Sequence, residues 1–173
     1  MSRSLGNLIA DSLQLSVGYA ERLLKDIPQA RFARFSTPGG VVVVSNHPAF
    51  VYGHLSLYAP KILQQIGHPA PGIPQDVELR CSKDAVCVDD HDGDLFPDRE
   101  TIVSFFLEGH RMVMAALRST ANEVFERPNP AEGRMKDLFP TIGSVQAFYC
   151  GGHMMMHLGQ VSAWRRMEGM PAA

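Results

Sequence analysis

From Leu5 to Lys25 the apolar residues fall at Leu5, Leu8, Ile9, Leu13, Val17, Ala20, Leu23 and Leu24. Their period is close to 3.6, which predicts an amphipathic helix with one face for a core, stopped before Pro28. The segment "FSTPGGVVVVSN" reads differently. Gly39-Gly40 marks a turn, and Val41 to Val44 is β-branched and extended by preference, a short lead-in with no partner strand elsewhere. A second helix opens at "SNHPAFVYGHLSLYAPKILQQIG", with Asn46 or His47 at the cap, Pro48 in the first helical position and Gly67 as terminator. Pro60 inside it predicts a kink or a restart.

Roughly thirty residues rich in Pro, Gly and Asp follow, from Gly67 to Pro97, and predict a functional or mobile connection with little structure of its own. The third helix is capped by Asp98, carries Glu100 in its first turn and buries Ile102, Phe105, Phe106, Val113, Ala116 and Leu117. After "ERPNPAEG" a fourth helix runs from Pro140 or Thr141 to about Arg166. Four helices of roughly twenty residues with little strand predict an all-α fold, a helix bundle, as one domain over residues 1–173.

Composition narrows function mainly by exclusion. A net charge of −2 without a dense Lys/Arg cluster argues against nucleic acid, and no apolar run is long enough for a membrane span. The N-terminal helix is broken by Asn7, Asp11 and Gln14, unlike an export signal. Cys81, Cys87 and Cys150, odd in number and without CxxC spacing, predict unpaired thiols in a reducing cytoplasm.

The chemistry centres on "GGHMMMHLGQ", residues 151–160. An i, i+4 histidine pair puts two imidazoles on one helix face, where they can reach one ion at about 2.0–2.1 Å per nitrogen. Spacing alone leaves three readings open: a metal site, a structural pair, or exposed residues. Met154, Met155 and Met156 fan around the helix and read as core packing, which weakens a copper(I) site built on thioethers. His54 on the second helix is the candidate third ligand, because bundles build such sites from facing helices. His47 lies about 10 Å before it and reads as a cap or pocket-edge residue. His110 reads as a satisfied boundary histidine, and His68 and His91 as solvated.

Other motifs fail. Aligned as a calcium loop, "DDHDGD" puts Leu95 where glycine is needed and Thr101 where glutamate is needed, so it reads as an acidic turn. No GxSxG, P-loop or GxGxxG is present.

The pieces "HPAFVYGHLSLY" and "SVQAFYCGGHMMMHLGQVSAWRRMEGMP", the latter an HxxxHxGQ run closing on Arg and "GMP", resemble the DinB-like (DinB/YfiT-like metalloenzyme) family across nearly the whole chain. The resemblance implies an up-down-down-up four-helix bundle, often a homodimer. It also implies His54, His153 and His157 on a divalent ion, commonly zinc or nickel. Family activities span transfer of low-molecular-weight thiols, isomerisation and hydrolysis of small substrates; a non-catalytic ligand-binding or partner protein is the alternative. The long insertion between helices two and three is a departure from the family pattern. Gln160, one turn after His157, is a candidate for positioning a ligand, and Glu108 and Asp98 are candidate general bases.

Overall fold

The structure, a computed structural model, describes residues 3–173. Among these the chain is all-helical, with two isolated antiparallel bridges, Ser36 to Val43 and Pro128 to Thr141, in place of any strand. In chain order the helices are α1 (Leu5–Leu23), α2 (Gln29–Phe32), α3 (Pro48–Ser56), α4 (Tyr58–Gln65), α5 (Gln75–Cys81), α6 (Arg99–Ser119), α7 (Asn122–Glu126), α8 (Arg134–Leu138), α9 (Ile142–Ala147) and α10 (Met154–Met167). A π-helical turn, Phe148–His153, joins α9 to α10 without a break. None of the described helices is long and apolar enough to cross a membrane.

Local chemistry sets the boundaries, at His47, Pro48 and Asp98 as the sequence predicts. Ser4 caps α1 by accepting from the Asn7 N–H, and Asp98 caps α6 by accepting from the Thr101 N–H. His47 caps α3 through its ring nitrogen, which accepts from the Phe50 N–H, and Pro48 takes the first helical position. Thr141 and Ser144 form a reciprocal capping box at the start of α9. At Leu57 the second helix restarts as α4, because Pro60 has no N–H to give the Ser56 carbonyl.

One core runs through the molecule. On α1 it takes Ile9, Ala10, Leu13, Val17, Ala20 and Leu23, and α6 faces it with Ile102, Phe106, Val113 and Leu117. The first two leucines of the predicted α1 stripe depart from this, Leu5 and Leu8 lying exposed near the helix start. Gly6 explains the close approach of α1 to α6 there: a Cβ would lie 1.9 Å from the Leu117 carbonyl oxygen. Every residue of α3 is buried, because α6, α5 and α10 enclose it.

The segment between α4 and α6 corrects the sequence expectation most. It is not a bare loop but carries α5, whose Val77 and Cys81 are fully buried against α3. Gly53 of α3 permits this contact, since a Cβ there would sit 2.3 Å from the Cys81 Sγ. Farther along, the buried Asp90 carboxylate accepts from the N–H groups of Gly93, Asp94, Leu95 and Phe96. "DDHDGD" is therefore a turn locked from inside rather than a solvated acidic one. His68 also differs from its solvated reading, its Nε2 lying 3.1 Å from the Thr120 hydroxyl. His91 is exposed beside Asp92, as expected.

Candidate metal centre

Three histidines from two helices meet where α3 crosses the last helix. His54 projects from the wholly buried α3, while His153 ends the π turn and His157 follows one turn into α10. One ligating nitrogen from each lies within 4.8 Å of the other two, so the group could hold a metal ion. The His54 and His157 ring centroids are 4.7 Å apart, as are those of His153 and His157. His153 and His54 are buried, and His157 is half-buried toward solvent.

The π turn helps place His153. The Ser16 hydroxyl on α1 lies 3.3 Å from the Cys150 carbonyl of the π turn and 3.0 Å from the Ser12 carbonyl of its own helix, sharing its proton between them. Gly151 lets α1 come close there, its absent Cβ falling 2.8 Å from the Ser12 Oγ. Aromatic rings then confine the His153 ring: Tyr58 at 4.3 Å and Phe148 at 5.6 Å between centroids.

Hydrogen-bond partners decide which nitrogens face the centre. His54 Nδ1 is 3.0 Å from the Cys81 carbonyl, which can only accept, so Nδ1 carries the proton and Nε2 offers its lone pair. His157 Nδ1 donates to the Gln160 Oε1 at 3.3 Å, leaving Nε2 bare in the same way. Asn46 donates to that same Oε1 at 3.0 Å. His153 Nδ1 is buried without any partner. An unpaired buried nitrogen costs on the order of 1–3 kcal/mol, and it belongs to the ring that meets those of His54 and His157. The donor set fits an ion that prefers neutral imidazole.

The electrostatics agree. Burial pushes all three imidazoles toward their neutral form. His153 goes furthest, down to about 3, with the neighbouring His157, His54 and Lys61 adding to the effect of burial. His54 is lowered by burial against the opposing pull of the Cys81 carbonyl, and His157 by burial against that of Gln160. Neutral rings are what coordination requires.

A cavity of about 520 Å³ opens on this centre. His54, His157, Asn46 and Tyr58 form its inner wall, with Phe50 beside them, and Ser82, Lys83, Ala85, Val86 and Cys87 of the α4–α6 segment form the outer one. Cys87 is not an activated nucleophile: burial pushes its thiol up to about 11, and that of Cys81 to about 12.

The remaining candidates fall elsewhere. Gln160 sits where the sequence suggests, bonded to His157. Asp98 is committed to its cap, which holds its carboxyl below the usual carboxylate range, and Glu108 is an exposed residue of α6; neither lines the cavity. His47 is fully buried, with Nε2 2.9 Å from the Val88 carbonyl, and ties α3 to the α4–α6 segment. His110 is buried and bonded to the Phe106 carbonyl, a satisfied core residue. Of the three methionines only Met154 joins the core, while Met155 and Met156 are exposed. Sequence reasoning missed the Cys81 carbonyl, the Asn46 amide and the outer wall. No family model, curated protein or solved structure matches this chain.

Proposed function

We propose that this protein is a DinB-like, divalent-metal-dependent enzyme that transfers a low-molecular-weight thiol to a small electrophilic substrate, with zinc or nickel on His54, His153 and His157. The observation that carries the reading is the convergence of three neutral imidazoles beside an open cavity. On the same reading α1, α3–α4, α6 and α9–α10 are the four rods of an up-down-down-up bundle.

When bound, a divalent ion on three uncharged ligands keeps its full charge and supplies Lewis-acid chemistry, lowering the pKa of a thiol or polarising a carbonyl. The chain's own residues do the rest. Cys81 and Gln160 hold two rings in the tautomer that turns Nε2 inward. Tyr58 and Phe148 keep water from the His153 side. No aspartate or glutamate lines the cavity. The ion would lower the pKa of a bound thiol and of a bound water alike, so transfer is put ahead of hydrolysis on the family resemblance and not on the lining. The missing carboxylate suits a second reading, a non-catalytic metal-containing ligand binder.

Elemental analysis of purified wild type, His54→Ala and His153→Ala tests the centre. About one ion per chain is expected in the wild type and little in either variant; equal contents would remove the assignment. Screening the loaded protein against thiol–electrophile pairs and against simple esters and amides tests the reaction. Turnover only with thiol pairs supports transfer, turnover of esters without thiol overturns it, and silence in both arms assigns the binding role.

A further inference from the structure

Besides the bare Nε2 lone pairs of His54 and His157, the cavity presents several free donors and no carboxylate. Lys83 is the one side chain of permanent charge on its wall, and it makes no salt bridge among the described residues. Neighbouring Ser82 has a hydroxyl with no hydrogen-bond partner there, and the Tyr58 hydroxyl across the cavity has none either. The Cys87 thiol is protonated, so it brings no negative charge. Phe50, Ala85 and Val86 supply apolar surface between these polar groups.

Away from the histidines, the rim around Lys83 offers an anion three donors, and no carboxylate among the lining residues competes for them. We infer that the cavity binds a small organic carboxylate, its charge held by Lys83 and Ser82 and its apolar body lying against Phe50 and Val86. This rests on the proposed function in taking the cavity as the substrate site, and it names the class of substrate. The α4–α6 segment then selects the ligand rather than merely covering the centre. Lys83 stands at the exposed rim, so its contribution is modest and falls with salt.

Phenylacetate and phenylacetamide are matched in size and differ in charge. Calorimetric titration of each into zinc-loaded wild type, Lys83→Met and Lys83→Arg tests the assignment. Wild type is expected to prefer phenylacetate, and Lys83→Met to weaken that probe about fivefold while leaving phenylacetamide unchanged. Lys83→Arg should retain the preference, and added salt should erode it. Equal affinity of wild type and Lys83→Met for phenylacetate, equal losses for both probes, or no binding of phenylacetate by wild type would each overturn the inference. Failure of wild type to load zinc would sink the metal reading alone. The same titrations on the zinc-free protein would then decide the role of Lys83, which lies outside the histidine group, by the same criteria.

Discussion

At the scale of single residues, the site depends on groups that never touch the centre. Gln160 is the clearest, because its Oε1 accepts from both His157 and Asn46. Gln160→Leu keeps the size but removes the acceptor, freeing the His157 ring to rotate and to change tautomer. Metal affinity is expected to fall by about 10–100-fold, measured by competition with a chromophoric chelator, while the unfolding midpoint barely moves. Unchanged affinity would make Gln160 a simple helix contact. The three histidines that come together were legible in the sequence because two stood one helical turn apart and the third lay on another helix. Their supports were less so. The Cys81 partner of His54 is a backbone carbonyl 27 residues away, and a carbonyl has no sequence signature.

Among the elements, the four long helical stretches were readable, with Asp98 as a cap and the fourth starting near Thr141. Two features were not. The π turn has the same residue types as an ordinary helical turn, and only the structure shows it packed on Ser16 and Ser12. The seven-residue α5 presents just two buried positions, Val77 and Cys81, too few for a period to show. Its docking is nonetheless what brings the Cys81 carbonyl to His54. Val77→Asp would place a charge where the side chain is wholly buried, against about 1.5–3 kcal/mol of lost burial. Amide exchange across residues 75–87 should then speed up while α1 and α6 stay protected, and metal affinity should fall with it. Retained affinity in a variant with a freely exchanging α5 would show that His54 holds its orientation without the clasp.

For the molecule as a whole, five buried or half-buried imidazoles give folding a definite pH dependence. His47, His54, His110, His153 and His157 are all pushed down, with burial the largest cause in each case. An unfolded chain takes up these protons near pH 6.5, but the folded one resists until lower pH. Their stabilising contribution is therefore complete above about pH 6.5 and is lost as the pH falls toward the folded values. His110 isolates the effect, because it lies in the core away from the cluster and is pushed down to about 4. Between pH 7.5 and 5 it alone should cost about 2 kcal/mol. Urea unfolding of the metal-free protein should give a clearly lower free energy at pH 5 than at pH 7.5. His110→Asn, less stable at neutral pH, should show a shallower decline. Zinc-loaded protein should fall more steeply, because acid must also displace the ion from three neutral rings. If wild type unfolds with equal free energy at both pH values, these histidines are not buried in solution, and the enclosed centre built on three of them falls too.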